Sequence, residues 1–379
     1  MNQVNLSFIP PRPLLRWTVA SLLLAGGLAG CGFKPKSAGG SAPAKPPTLV
    51  VPARGAYTGA YIEFGDKEDD VTLDAIESFE AEVGKHQAIV AFSSFWGEDH
   101  FPTEQTHIVD AHGSIPLVFW SPWDWPYRED FVEVHGPDKF RLDQVLAGRW
   151  DPYIDRWADE AKAFGRPLFV SLCNESNGNW FPWSAVFYGG GEVVPGSNPP
   201  RYAGPELFKK AYRYVVDRVR ARGASNILWV LHLNNYSEPY EPWNMLEQFY
   251  PGDGYVDWLG LSVYGQMYPD ERWATFEDMI DKPYEEICRL NATKPVMVTE
   301  WGVGEFPAKG NKGQWIDEAF ARMQKDLPRV KAAVYWHERW QNNGSLLYSN
   351  LKLNSSPESL AAYRRHVAAP YWLDAPVYQ

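Results

Sequence analysis

Two glutamates follow apolar segments that have the character of buried strands. Glu175 comes soon after Pro167–Val170, and Glu300 ends the run that begins at Lys294. In a parallel α/β protein, such acids lie at the C-terminal ends of the strands, where active sites form. Hydrolysis of a glycosidic bond needs two carboxyl groups, about 5–5.5 Å apart for retention of configuration and about 6.5–9.5 Å apart for inversion. The pair therefore indicates carbohydrate chemistry.

Aromatic residues are frequent, and many stand near the ends of predicted strands. The 379 residues include 18 Trp and 20 Tyr, and Glu175 is followed by Trp180 and Trp183. Because sugar rings stack on flat aromatic faces, rings in these positions predict a glycan cleft, with Trp96 and Trp120 among its contacts. A large aromatic core is the alternative interpretation. The tryptophans near predicted strand ends are Trp96, Trp120, Trp123, Trp180, Trp183, Trp301 and Trp336.

Other polar side chains near strand ends are candidates for the same cleft. Asn174, beside Glu175, can hydrogen-bond a sugar hydroxyl, and His232, Asn234 and His337 could also reach the cleft. Because no paired Cys/His spacing appears, the sequence predicts no metal site and no cofactor. The acids that could bind a sugar or cap a loop instead are Asp124, Glu98, Asp99 and Glu338.

Eight apolar runs alternate with amphipathic stretches, which is typical of parallel βαβ units. The predicted strands are Ala56–Ile62, Ala88–Trp96, Ile115–Trp120, Pro167–Asn174, Ile227–Leu233, Trp258–Tyr264, Pro295–Glu300 and Ala332–Trp336. The predicted helices are Leu73–Val83, Pro152–Ala163, Pro205–Arg222, Trp273–Leu290 and Trp315–Leu327. Pro283 is expected to distort the fourth of these helices or to break it in two. The pattern predicts an α/β fold, a single-domain (β/α)8 TIM barrel over residues 55–379.

The N-terminus has the pattern of an export signal. Arg12 and Arg16 precede the apolar segment Trp17–Ala29, which is too short for a membrane span. The segment from Leu28 to Cys31 resembles the bacterial lipobox, in which cleavage before the Cys accompanies lipidation of its thiol. We expect a lipoprotein signal peptide over residues 1–30, lipidation at Cys31, and a lipid-anchored disordered tether over 31–54. An ordinary secretory peptide and an uncleaved anchor helix are the alternatives.

The charge and the targeting pattern limit the possible partners. The net charge is −11 and the pI is about 5.3, without a basic run outside the leader, so nucleic acid is excluded as a partner. We expect an exported, membrane-anchored lipoprotein that faces the periplasm or the cell surface and acts on polysaccharide as a monomer. Cys173 and Cys288 could pair in such a compartment or remain free thiols.

The segment around Glu175 resembles a known family. Residues Asn174-Glu175-x-Asn177-Gly178-x-Trp180-Phe181-Pro182-Trp183 are similar to the acid/base segment of glycoside hydrolase family 26. That family consists of (β/α)8 retaining enzymes, mostly endo-β-1,4-mannanases, with some β-1,3-1,4-glucanases and β-1,3-xylanases. The resemblance covers roughly residues 55–365. The other similar segments are Ala211–Val230, Tyr250–Gly265, Lys294–Glu300 and Tyr335–Trp336.

The resemblance implies a role for each of five residues. Glu175 would be the acid/base that donates the proton, and Glu300 would be the nucleophile. Tyr264 would hydrogen-bond the nucleophile, while Trp180 and Trp336 would shape the subsite at the cleaved bond.

The chain also differs from the usual pattern of the family near the acid/base position. Asn174 stands where the family usually has His, Ser171 where an Arg is often found, and Ser176 where Met is common. These differences indicate a divergent member.

We therefore expect a glycoside hydrolase that cleaves an internal β-linkage by double displacement at two glutamates, with β-1,4-mannan as the first substrate hypothesis. The alternatives are a β-1,3-1,4-glucanase and an exopolysaccharide-trimming hydrolase or transglycosylase. A non-catalytic glycan-binding lipoprotein is a further alternative from a different class.

Overall fold

The computed structural model describes residues 47–65, 67–124, 138–341 and 348–379. The chain divides into two compact units, Met1–Ala44 and Lys45–Gln379. The first unit lies outside the described residues, as do the predicted signal peptide, the lipidation at Cys31 and most of the predicted tether. Within the described ranges, no helix is long and apolar enough to cross a membrane.

Eight parallel strands form a closed barrel, which confirms the predicted TIM-barrel fold. Each strand pairs with the next along the chain, and β8 pairs back onto β1. Nearly every residue of these strands is buried, as expected where helices cover the outside of a parallel sheet. The strands are β1 Ala56–Ile62, β2 Ile89–Phe95, β3 Ile115–Ser121, β4 Leu168–Leu172, β5 Ile227–Asn234, β6 Trp258–Tyr264, β7 Val296–Gly302 and β8 Val330–His337.

Helices surround the barrel. They are α1 Leu73–Val83, α2 Thr103–Ala111, α3 Leu142–Leu146, α4 Asp151–Phe164, α5 Ala203–Ala221, α6 Phe276–Leu290, α7 Lys312–Lys325 and α8 Pro357–Val367. The sequence pattern did not predict α2, α3 or α8. Between β5 and β6 there is no α-helix but a series of short 3-10 turns. The remaining short strands are β9 Arg339–Gln341, β10 Tyr348–Asn350 and β11 Trp372–Leu373.

Of the two outcomes expected at Pro283, the division of the helix is wrong, because α6 is continuous across it. A proline inside a helix frees the carbonyl four residues earlier, here that of Met279. The side-chain amide of Asn235 donates to that carbonyl at 2.9 Å. This external donor compensates for the missing backbone hydrogen bond.

The last part of the predicted tether is structured. Thr48 exchanges two backbone hydrogen bonds with Gln379, and the buried Leu49 forms a bridge with Tyr378. The expected boundary at residue 54 is therefore corrected, because the chain joins the barrel domain at least six residues earlier.

The two cysteines of the barrel domain do not form a disulfide. Cys173 and Cys288 are both free, and burial raises the pKa of the Cys173 thiol.

Candidate active site

Glu175 is aimed into the mouth of the barrel by an unusual backbone turn after β4. Cys173 and Glu175 both have φ of 53°, a left-handed conformation that costs energy for a residue with a side chain. The turn is held because the Glu175 N–H donates to the His232 carbonyl at 2.8 Å and Ser176 Oγ donates to the Cys173 carbonyl at 2.7 Å. Backbone strain at this position indicates that the direction of the side chain matters.

Both oxygens of Glu175 accept hydrogen bonds from neutral donors. Trp180 Nε1 donates to Oε2 and Asn234 Nδ2 donates to Oε1, each at 2.7 Å. The carboxyl group is otherwise enclosed, since the residue is 6% exposed. Burial raises the pKa of Glu175, and hydrogen bonds from Ser262, Asn234 and Trp180 oppose that rise. The group can therefore hold a proton at higher pH than an ordinary glutamate.

Glu300 lies on β7 and faces Glu175. The phenol of Tyr264, at the end of β6, donates to Glu300 Oε2 at 2.7 Å. Burial and the negative charge of Glu175 raise the pKa of Glu300, while the Tyr264 hydrogen bond lowers it. Tyr264 thus favours the ionised form of this carboxyl group.

The two carboxyl groups form a close pair. Oxygen atoms of Glu175 and Glu300 lie within 4.8 Å of each other and of a ring nitrogen of His232. This closeness is compatible with the short spacing of about 5–5.5 Å that accompanies retention. Two buried acids at this distance resist simultaneous ionisation, so the pair retains one proton.

His232 lies beneath the pair as a neutral ring. Ser171 Oγ is 3.0 Å from Nδ1 and Ser262 Oγ is 2.7 Å from Nε2. Burial lowers the pKa of His232 to about 3. Although Glu175, His232 and Glu300 together could contact a cation, the two hydroxyls occupy both ring nitrogens of the histidine. The ring therefore serves as part of the floor.

Trp336, on β8, forms the wall beside the pair. Its ring stacks on Tyr61 with centroids 4.0 Å apart, and its Nε1 donates to Glu338 Oε2 at 2.7 Å. Burial and the nearby Glu68 carboxylate raise the pKa of Glu338 to about 8. On the opposite side, the Asn174 amide has no hydrogen-bond partner among the described residues, which leaves it available to a ligand.

Comparisons with known proteins place the chain among relatives of known family. The model of glycosyl hydrolase family 26 matches residues 138–321. Endoglucanase H of Acetivibrio thermocellus is 30% identical over 300 residues, which cover 78% of this chain and 29% of that protein. A mannan endo-1,4-beta-mannosidase of Bacillus subtilis strain 168 is 27% identical over 200 residues, or 52% of this chain and 47% of that protein. The chain belongs to glycosyl hydrolase family 26.

Solved structures of the family share the fold. A modular endo-beta-1,4-mannanase from Cellulomonas fimi superposes with a TM-score of 0.58 at 20% identity, covering 85% of this chain and 72% of that chain. The Bacillus subtilis mannanase man26 gives a TM-score of 0.55 at 17% identity, covering 85% and 87%. The chain spans 29% of the length of the endoglucanase and 47% of the length of the mannosidase named above.

Two of the expected substrate contacts in this family 26 chain are wrong. Trp120 is fully buried, stacks on Trp157 of α4 with centroids 4.0 Å apart, and donates to the Tyr153 hydroxyl. Trp96 is 1% exposed and packs against Trp120 and Tyr153. Both rings lie between the barrel and its outer helices. Trp123, Trp183 and Trp301 are also less than 5% exposed, so the large-core interpretation holds for most of the seven rings.

The four other acids predicted near strand ends fall into two groups. Asp99 pairs with Arg156, Glu98 with Lys67 and Asp124 with Lys139, all at the surface. Glu338 alone joins the site, through the Trp336 indole.

Sequence reasoning missed Ser262 and Tyr61. Ser262 stands two residues before Tyr264 on β6, and Tyr61 stands at the end of β1. Strand periodicity was the available signal, because residues two apart on a strand share a face. His337, which was expected to reach the cleft, instead accepts the Leu353 N–H at Nδ1 and packs against Phe79 of α1.

Proposed function

We propose that this chain is an endo-acting glycoside hydrolase that cleaves a β-linked polysaccharide with retention of configuration. One observation carries the proposal: Glu175 and Glu300 present oxygens within 4.8 Å of each other at the C-terminal mouth of the barrel. That spacing suits direct attack by one carboxylate.

Two observations assign the roles of the two acids. Glu300 is the nucleophile, since the Tyr264 phenol stabilises its anion. Glu175 is the acid/base, because it stands in the segment that resembles the acid/base segment of the family, and burial raises its pKa. With Glu300 ionised, the single proton retained by the pair is on Glu175 before reaction.

Hydrolysis then proceeds in two displacements. In the first, Glu300 attacks the anomeric carbon, and the glycosidic bond breaks as Glu175 transfers its proton to the leaving oxygen. The product is a glycosyl ester on Glu300. In the second, Glu175 removes a proton from water as the water attacks the same carbon, which releases the sugar with its original configuration and restores Glu175 as an acid.

β-1,4-Mannan is the first substrate class. The curated mannosidase relatives and the mannanase structures support this choice. Mannose and glucose differ in the direction of the hydroxyl on C2, next to the anomeric carbon. The Asn174 amide is adjacent to the acid/base and has no hydrogen-bond partner among the described residues, so we expect it to contact the substituent at that carbon.

Mixed-linkage β-glucan is the second candidate. It is favoured by the endoglucanase relative, which aligns over 78% of this chain, compared with 52% for the mannosidase.

We also propose that Cys31 carries a lipid that anchors the enzyme to the membrane of a bacterial cell. The short apolar leader, the small residues before Cys31 and the Gly-, Ser- and Pro-rich segment after it support this localisation. A C31A variant is then expected to move from the membrane fraction to the soluble fraction. If its membrane association equals that of the wild type, lipid anchoring at Cys31 is wrong.

The catalytic assignment is tested with E300A and E175A, assayed on mannan and on mixed-linkage glucan by release of reducing ends. We expect E300A to lose at least about 10⁴-fold in activity on every substrate. E175A should lose about 10²–10⁴-fold on polysaccharide. It should retain much of the first step on aryl glycosides whose leaving group needs no proton.

A matched control is E206Q. Glu206 is 8% exposed and pairs with Lys209 on α5 at 2.7 Å, so this variant removes a buried carboxylate of an outer helix and leaves the strand ends that carry Glu175 and Glu300 unchanged. Its activity should equal that of the wild type. If E300A retains most activity while folded, the assignment is wrong.

A further inference from the structure

Two exposed tyrosine rings stand next to each other on the loop that follows β5, at the mouth of the barrel. Tyr236 is 49% exposed and Tyr240 is 53% exposed. Where the structure describes the side chain, no other tyrosine, tryptophan or phenylalanine is exposed to this degree. The two ring planes lie within 12° of parallel, and their centroids are 5.8 Å apart. Two adjacent, aligned rings form a flat apolar patch, which is a feature of binding surfaces.

Hydrogen bonds fasten this loop to the turn that carries Glu175. Asn177, two residues after the acid/base, accepts the Asn234 N–H at Oδ1 over 2.9 Å and donates from Nδ2 to the Ser237 hydroxyl over 3.1 Å. The Asn177 carbonyl accepts the Glu238 N–H at 2.9 Å. Because Asn177 is fully buried, the turn and the loop form one unit.

The same loop places Tyr236 close to the acid/base. Asn234, whose amide donates to Glu175 at 2.7 Å, accepts the Tyr236 N–H at Oδ1 over 2.9 Å. Consecutive Cα atoms are about 3.8 Å apart, so the Cα atoms of Asn234 and Tyr236 are at most about 7.6 Å apart. The tyrosine pair therefore borders the catalytic cleft.

Contacts with α6 hold the outer side of the loop. Asn235 Nδ2 donates to the Met279 carbonyl at 2.9 Å, and the Lys282 ammonium donates to the Tyr240 hydroxyl. The second contact fixes the ring at its hydroxyl edge and leaves its faces free to stack. A loop that is already fixed loses less conformational freedom when a ligand binds, which favours affinity.

The position of the pair relative to Glu175 indicates which part of a polysaccharide it meets. The oxygen that Glu175 protonates belongs to the part of the chain that leaves. The sugar units beyond this oxygen extend past the acid/base, over the loops that follow β4 and β5. Trp336 is on β8, which lies across the barrel from β4, so the two aromatic surfaces flank the cleaved bond from opposite sides.

We propose that Tyr236 and Tyr240 form a subsite that binds sugar units on the leaving side of the cleaved bond by stacking. The inference rests on the proposed hydrolase function and adds named contacts to one side of its cleft. A sugar ring presents C–H groups on its faces, and these pack against flat aromatic faces. Binding energy from such remote units contributes to catalysis of the bond that is cleaved.

The test compares Y236A and Y240A with the wild type on two kinds of substrate. Mannan and mixed-linkage glucan carry sugar on the leaving side, whereas the nitrophenyl glycosides of the corresponding disaccharides carry only nitrophenol there. We expect kcat/KM for the polysaccharide that the wild type cleaves to fall about 3–10-fold in each variant. For the nitrophenyl glycosides the change should stay below about twofold.

Y236F and Y240F are the conservative controls. Both keep the ring, so kcat/KM for polysaccharide should stay close to that of the wild type. V377A is the control for position, since Val377 is 49% exposed and its N–H donates to the hydroxyl of Tyr57, near the start of β1 at the other end of the barrel. Its activity should equal that of the wild type on both kinds of substrate.

Binding is measured separately from turnover by calorimetry in the E300A background, with hexasaccharides of mannan and of mixed-linkage glucan. Y236A and Y240A should each weaken binding about 3–10-fold. The inference is overturned if both variants bind and cleave like the wild type. It is also overturned if they lose equally on the nitrophenyl glycosides, which would mean that the loop only holds Glu175 in place. A wild type that binds a hexasaccharide through these rings but hydrolyses no polysaccharide refutes the proposed function instead.

Discussion

Tryptophans lie in two layers of this barrel, the cleft at its mouth and the layer between the strands and the outer helices, and their contacts differ between the two. In the cleft, Trp180 and Trp336 donate their indole N–H groups to the carboxyl groups of Glu175 and Glu338. In the outer layer, Trp96 and Trp157 pack against other rings, and among the described residues their indole nitrogens have no hydrogen-bond partner. Tryptophan therefore lowers the pKa of a carboxyl group in the cleft, whereas in the outer layer it fills the space between strands and helices.

The position of a ring along its strand decides which layer it occupies, because successive side chains point to opposite faces of the sheet. Phe119 points into the barrel, with its ring centroid 5.7 Å from that of Trp336, while the next residue, Trp120, points outward onto Trp157. On β8, Trp336 points inward and Tyr335 outward, where it contacts Trp301. Nearness to a strand end is thus insufficient to assign a ring to a cleft, because neighbouring residues face opposite sides.

The largest effect on stability is expected in the outer layer. W120A removes the stack on Trp157 and the hydrogen bond to Tyr153, so the free energy of unfolding should fall by about 3–5 kcal/mol. Among molecules that remain folded, kcat/KM should be unchanged. Denaturant unfolding and active-site-normalised kinetics measure the two quantities.

W120F is the control for volume. It keeps an aromatic ring and should lose a smaller amount, about 1–3 kcal/mol. If W120A instead unfolds like the wild type but loses activity, the division between the two layers is wrong.

Within the cleft, Y264F should have the larger effect on catalysis. Loss of the phenol removes the hydrogen bond that lowers the pKa of Glu300, so this pKa rises. Because Glu300 must be ionised to attack, the acidic limb of the kcat/KM profile should move to higher pH. The loss at neutral pH should be about 10–100-fold, measured with a soluble aryl glycoside.

W180F should have a smaller effect, on the opposite limb. The ring is kept, but the indole donor that lowers the pKa of Glu175 is lost. Since Glu175 must be protonated to act as an acid, the alkaline limb should move to higher pH, with a loss of about fivefold in kcat/KM. A shift of the acidic limb in W180F, or of the alkaline limb in Y264F, would reverse the roles assigned to the two glutamates.

The sequence predicted all eight barrel strands, because each is a short apolar run buried on both faces. It missed α2 and α8, whose apolar positions are sparse: α2 buries only Thr106 and Val109 over nine residues. It left open whether Pro283 divides α6, because the donor that compensates for this residue, Asn235, lies 44 positions from the carbonyl that it satisfies. Contacts at such separations are visible only in the folded chain.

The two glutamates of the site were predictable, because both end recognisable strands. The supporting contacts were harder to foresee. Ser171 and Ser262 are ordinary residues in sequence, and only the pairing of β4, β5 and β6 brings them to the two nitrogens of His232.

The central claim is that the close Glu175–Glu300 pair acts by double displacement. The most direct test follows the anomeric configuration of the first reducing ends released from β-linked oligosaccharide by proton NMR, before mutarotation. The carboxyl oxygens, within 4.8 Å of each other, predict that the β-anomer appears first and the α-anomer only later. Initial release of the α-anomer would mean inversion by a single displacement and would contradict the account.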